Sequence, residues 1–294
     1  MSRGRQTDQA SWKQIAMGIG LVLVVAVVGF TATYFIASKL LAATPTVSAD
    51  TEQQSVPIAD EMKAQESTPA PAPEPTPPPE PKGPLAGKVI VIDPGHQAHA
   101  DSSQEPIGPN ASETKPKVTG GASGTKSKVP ESQLVLNIGM QLKTALEAQG
   151  ATVYMTRASE DVNVSNSQRA AVANDKQANL FLRLHCDGSD NSGNHGISML
   201  VPANNQWTEP IVASSRTAGE TIQKAVIAAT GAKDNGVVNR GDLSGFNYCK
   251  VPSILIEMGF MSNPDEDTEL NSSAYQQKLV QGLTQGCINW MSQQ

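Results

Sequence analysis

From Gln14 to Ser38 the chain carries no charged side chain, and its centre reads "IAMGIGLVLVVAVVGFTATYFIA". A helix needs about 20 apolar residues to span roughly 30 Å of hydrocarbon, and this stretch is long enough. The apolar core of a cleaved secretion signal is usually only about 7–15 residues, and Lys39-Leu40-Leu41 lacks a small-residue cleavage site. The stretch therefore predicts a transmembrane anchor over residues 14–38, rather than a signal peptide or a buried core helix. Arg3, Arg5 and Lys13 precede it, while Lys39 alone follows closely. The positive-inside bias predicts a cytoplasmic tail over residues 1–13 and sends everything after Lys39 outward.

Residues 39–84 follow as a linker that is rich in Pro, Ala, Glu and Thr from Ala42 on, as in "STPAPAPEPTPPPEPKGP". Such a composition buries too little apolar surface to offset chain entropy, so disorder is expected. A polyproline-like spacer of this length reaches at most about 130 Å. Only residues 85–294 remain to form a globular domain. The net charge of −6 excludes the basic stripe that nucleic-acid binding needs. Cys186, Cys249 and Cys287 are too few, and odd in number, for a disulfide framework.

Within that domain, apolar runs alternate with helical stripes. Strands are predicted over Leu85–Asp93, "ATVYMT", "NLFLRLH" ending at His185, "GISMLV", and "VPSILIEMGF" ending near Glu257. Pro130-Glu131-Ser132 opens a helix whose stripe is Leu134, Val135, Ile138, Leu142, Ala145 and Leu146, with Gly150 suited to its C-terminal cap. Further helices are expected near Ser165–Asp175, after the capping sequence Thr208-Glu209-Pro210, and along Tyr275, Leu279, Leu283, Cys287 and Trp290. Residues Ala98–Val129 read as one long polar loop. The alternation predicts an α/β fold with a twisted, mostly parallel sheet flanked by helices.

In open α/β sheets, ligands bind beyond the carboxyl ends of the strands. Predicted strand ends deliver His96, His185 and Glu257, and the helix opening at Pro130 adds Glu131. In "KVIVIDPGHQ", Asp93-Pro94-Gly95 is read as the turn that stops the strand and raises His96. Two histidines and a carboxylate form a common catalytic zinc set, with a further carboxylate free to act as base. Each residue also has a plainer reading. Glu131 could interact with the helix dipole, and Glu257 could pair with a base such as Arg240. His99 and His195 read as loop residues.

"VIDPGHQ", "VPESQLVLNIGMQLKTALEAQGATVYMTR", "NLFLRLHCDGSD" with "GISMLV", and "VPSILIEMGFMSNPDED" occur in this order. Together they resemble the zinc-dependent N-acetylmuramoyl-L-alanine amidases of the amidase type 3 family, from about Lys88 to Trp290. The resemblance implies zinc ligands at His96, Glu131 and His185, a catalytic carboxylate at Glu257, and peptidoglycan as substrate. With the anchor, it implies a single-pass protein of the bacterial cell membrane whose catalytic domain is extracytoplasmic. An activating partner stays open. Two departures stand out: the long loop after His96, and Asp187 where the family often has Asn. Competing readings are a noncatalytic wall-binding or sensor domain, a zinc hydrolase of other wall specificity, and a cysteine hydrolase using Cys186. The last is disfavoured because adjacent strand residues point to opposite faces.

Overall fold

The computed structural model describes residues 82–294, in which six strands form one sheet. The predicted tail, the anchor and nearly all of the linker lie outside the described residues. Among the described residues, no helix is long and apolar enough to cross a membrane.

The sheet order is β4 (Thr152–Met155), β1 (Val89–Pro94), β5 (Leu180–Asp187), β8 (Ser253–Phe260), β6 (Ile197–Pro202) and β7 (Asp234–Arg240). The first four run parallel. β6 pairs antiparallel with β8 and parallel with β7, so the sheet is mixed but mostly parallel. The helices are α1 (Glu131–Ala148), α2 (Asn166–Asp175), α3 (Val212–Thr230), α4 (Ser244–Asn247), α5 (Pro264–Leu270) and α6 (Ser273–Met291).

Successive strand residues point to opposite faces, so an apolar run supplies two layers at once. Ile90, Ile92, Leu182, Leu184, Ile254 and Ile256 join the main core with α1, α3 and α6. Val91 and Phe181 pack on the other face with Ala170 and Ala173 of α2. That second face has thin helical cover, because α2 and α4 are short. The predicted stripe of α1 is the side it buries, and Gly150 takes the left-handed conformation (φ 91°) that ends the helix. Ser165 caps α2 in a reciprocal capping box with Gln168.

Several expectations are corrected. Leu85 is a buried turn residue, and β1 starts only at Val89. The loop after His96 contains a hairpin, β2 (Asp101–Pro106) with β3 (Thr114–Val118). Its polar strands carry no apolar alternation to reveal them. β7 is an additional strand hidden in the same way, since "DNGVVNR" opens on turn-forming residues. The Thr208 hydroxyl does not cap a helix: it donates to the Ala203 carbonyl at 2.6 Å, and a 3-10 turn at Glu209–Ile211 precedes α3.

Candidate active site

The position of the site relative to the strands also needs correcting. β5 runs on to Asp187 and β8 to Phe260, so His185 and Glu257 stand on the sheet face rather than beyond strand ends. An irregular register between His185 and Asp187 lets the pairing continue past them. His185 and Glu257 are register partners across β5 and β8, which puts their side chains side by side on one face.

His96 follows β1 in a left-handed conformation, φ 58°. Gly95 still pairs with β5, donating to the Leu184 carbonyl at 2.9 Å. A Cβ at Gly95 would lie 2.2 Å from Cε1 of His185, so only glycine lets the turn pass that close to the ring. The Nδ1–H of His96 donates to the Thr119 carbonyl at 2.9 Å, just past β3. That bond fixes the tautomer and turns the Nε2 lone pair away from the hairpin.

Glu131 opens α1 and is buried. Its Oε2 accepts from the Ala122 amide at 2.8 Å and its Oε1 from the Cys186 amide at 3.0 Å. The same Oε1 lies 3.1 Å from His96 Nε2 and 3.1 Å from His185 Nδ1, and the two nitrogens are 3.0 Å apart. Lone-pair donors packed into such a triangle repel one another unless a proton or a cation lies among them. The three residues can therefore hold a metal ion.

A proton on an imidazole bridges to Glu131 in the same way, and the pKa values shift with it. Burial opposes ionisation of Glu131, but the hydrogen bonds and charges of His185 and His96 outweigh it and hold its pKa well below the ordinary value. Burial lowers His185 to about 4 despite its bond to Glu131. Burial also disfavours the charged form of His96, yet Glu131 outweighs it and raises that pKa.

Glu257 is different. Its Oε2 is buried with no hydrogen-bond partner among the described residues. Burial pushes its pKa well above the ordinary value, and the charges of Glu131 and Asp187 act in the same direction. Arg240, its alternative partner, is held instead by Asp242 through bonds of 2.7 and 2.8 Å. A cavity of about 180 Å³ beside His185 is lined by Lys115, Thr119, Asn166, Arg183 and Asp242, among others.

A profile of the family described as N-acetylmuramoyl-L-alanine amidase matches residues 90–289. The chain belongs to that family. The N-acetylmuramoyl-L-alanine amidase Rv3717 of Mycobacterium tuberculosis is 32% identical over 217 residues, covering 71% of this chain and 89% of that protein. LytC, an amidase of Bacillus subtilis, is 28% identical over 71% of this chain but only 36% of its own length. The crystal structure of the amidase Ami1 from Mycobacterium smegmatis matches with a TM-score of 0.64 at 25% identity, over 71% of this chain and 99% of that one.

Elsewhere in this amidase, His99 and His195 are exposed loop residues, as expected. Cys186 is buried, and burial raises its thiol pKa well above the ordinary value, which leaves no reactive thiolate. All three cysteines are free. Asp93 is not the turn residue that its sequence suggests. Its carboxylate is fully buried and accepts from Arg169 Nη1 and Arg183 Nε, both at 2.8 Å, and from the Thr156 hydroxyl at 2.5 Å. This ion network leaves little trace in the sequence. The available signal was Arg183, a lone cation inside the apolar run "NLFLRLH".

Proposed function

We propose that this amidase cleaves the amide joining the lactyl carbonyl of N-acetylmuramic acid to L-alanine in peptidoglycan. In this reading His96, Glu131 and His185 hold zinc, and Glu257 is the general base. The carrying observation is the unpartnered, buried Oε2 of Glu257 beside a triangle of lone-pair donors. Two imidazole nitrogens and a carboxylate oxygen within 3.0–3.1 Å of one another are a donor set that suits zinc.

A zinc ion held there would polarise the scissile carbonyl and acidify water. Glu257 takes the proton of the attacking water, a task suited to a carboxylate whose proton affinity burial has raised. The same carboxyl then hands the proton to the departing amine, because an unprotonated amide nitrogen leaves poorly. The Ala122 and Cys186 amides fix the Glu131 carboxylate, and the Thr119 carbonyl keeps His96 in the tautomer that presents Nε2.

The anchor over residues 14–38 and the linker over residues 39–84 would tether domain 85–294 outside a bacterial cell membrane, in reach of the wall. External protease on intact protoplasts should release the domain by cutting in the linker. A mature protein that begins after Ala43 would show a cleaved signal instead.

Product analysis on purified peptidoglycan tests the reaction, with zinc-loaded and chelated protein. New free L-alanine amino termini are expected only with metal. Release of acetate would reveal a deacetylase, and binding without product a noncatalytic wall-binding domain. Paired variants test the roles: Glu131→Ala should lose zinc and activity together, and Glu257→Gln should lose activity alone.

A further inference from the structure

Arg157 follows β4 and is only 3% exposed. Its Nε donates to the Pro94 carbonyl at 2.9 Å, and its Nη2 donates to the Gly95 carbonyl at 2.9 Å and to the Ser132 carbonyl at 2.6 Å. Gly95 immediately precedes His96, and Ser132 immediately follows Glu131. One nitrogen therefore bridges the backbones that carry two of the three candidate ligands. The fork is itself fixed from behind. Nη1 donates to the Ser159 carbonyl at 3.1 Å and to Glu160 Oε1 at 2.7 Å, while Glu160 Oε2 accepts from the Ser132 hydroxyl at 2.6 Å. Arg169 grips the same turn, donating to the carbonyls of Pro94 at 2.9 Å and His96 at 2.8 Å.

Buried carbonyls need donors, and consecutive inward-facing ones in a turn find few along the backbone. A guanidinium supplies five N–H groups in a rigid fork, which sets both the number and the spacing of the bonds. Lysine offers one compact ammonium that cannot reproduce that spacing. The turn also needs holding, because a left-handed φ at a non-glycine residue such as His96 is strained and persists only where its surroundings impose it.

We infer that Arg157 is a positioning residue that sets the separation of His96 from Glu131 and thereby the metal affinity of the site. The inference rests on the metal reading of His96, Glu131 and His185. It assigns Arg157 no contact with substrate.

The test measures zinc affinity of the full-length protein by competition with a chromogenic chelator, together with the visible spectrum of the cobalt-substituted form. Arg157→Lys keeps the charge but cannot bridge both segments. It should weaken zinc by about 10–100-fold, the range typical of supporting residues around metal ligands. The cobalt spectrum should change while the far-ultraviolet circular dichroism stays native. Leu279→Ala, in the core of α6, controls for lost stability and should bind zinc as the wild type does. Should Arg157→Lys fail to fold, Glu160→Gln loosens the fork from a part-exposed position and should cost a few-fold in zinc affinity. Wild-type affinity and cobalt spectrum in the folded Arg157 variant overturn the inference, as does undiminished affinity in Glu160→Gln. An equal loss in Leu279→Ala overturns it too, by showing a global effect. A wild-type protein without tight zinc binding is a separate failure: it removes the metal reading itself and this inference with it.

Discussion

The two faces of the sheet are made by the same strands and solve opposite problems. Toward α1, α3 and α6, β5 and β8 present Leu182, Leu184, Ile254 and Ile256, all fully buried in the main core. On the other face, the next residues along are Arg183, His185, Leu255 and Glu257. The first face is held by apolar burial, which is non-directional and tolerant of how its members meet. The second must satisfy each buried polar group individually, because an unpaired buried charge is costly. Asp93, Arg169 and Arg183 satisfy one another there, whereas Glu257 Oε2 has no partner among the described residues. The contrast teaches that stability on this face rests on specific pairs, and that the groups left unpaired among the described residues, Glu257 Oε2 and His185 Nε2 with them, are the ones free to serve chemistry.

The sharpest way to separate the faces is Glu257→Gln. The amide fills the same space but cannot take a proton, so turnover should fall by about 10²–10⁴-fold. Zinc content and the thermal midpoint should stay at wild-type values. Metal analysis, melting and an amidase assay on one preparation check this, and near-normal turnover would remove Glu257 from the mechanism.

Asp93→Asn attacks the same face through its charges. It leaves two buried guanidinium groups without their carboxylate and should cost about 3–5 kcal/mol at neutral pH. Burial works against ionisation of Asp93, but Arg169 and Arg183 outweigh it and hold its pKa far below the ordinary 3.8. A depressed pKa contributes stability that is fully present above the unfolded value and is lost as the pH falls toward the folded one. The gap between wild type and variant should therefore be flat from neutral pH down to about pH 5 and narrow below about pH 4. Urea unfolding across that range reads it, and a gap that widens in acid would contradict the pairing.

Ile254→Ala tests the opposite face. Removing this fully buried side chain should cost about 2–5 kcal/mol. Zinc content and turnover per folded molecule should not change, and a selective loss of zinc would blur the division between the faces. The smallest effect belongs to Lys115→Ala. Its ion pair with Asp242, at 3.0 Å, is about one-third to one-half exposed, so its loss should cost less than about 1 kcal/mol. A larger change in the urea midpoint would mean that the hairpin is a stronger support than its surface pairing implies.

Much of the first face was legible in advance. The stripe of α1, the alternating cores of β5 and β8, and the left-handed Gly150 all follow from local periodicity and backbone sterics. His96, Glu131, His185 and Glu257 could be picked out as candidates because each is a polar residue that follows or interrupts an apolar run or opens a helix, although His185 and Glu257 lie within their strands. The hairpin and β7 could not be, because their strands are polar and their pairing is with distant residues.

The residues alone, then, determined the apolar strands and the long helices, which side of each is apolar, and which four side chains are candidates for chemistry. These properties depend on near neighbours along the chain. Tertiary structure alone decided that three of those side chains meet within 3.0–3.1 Å, that Asp93 is a buried counter-ion, and that Arg157 spans Gly95 and Ser132. Those facts depend on the register of β5 against β1 and β8, and on where α1 starts over the sheet. The packing of residues far apart in sequence sets both, and no local pattern records it.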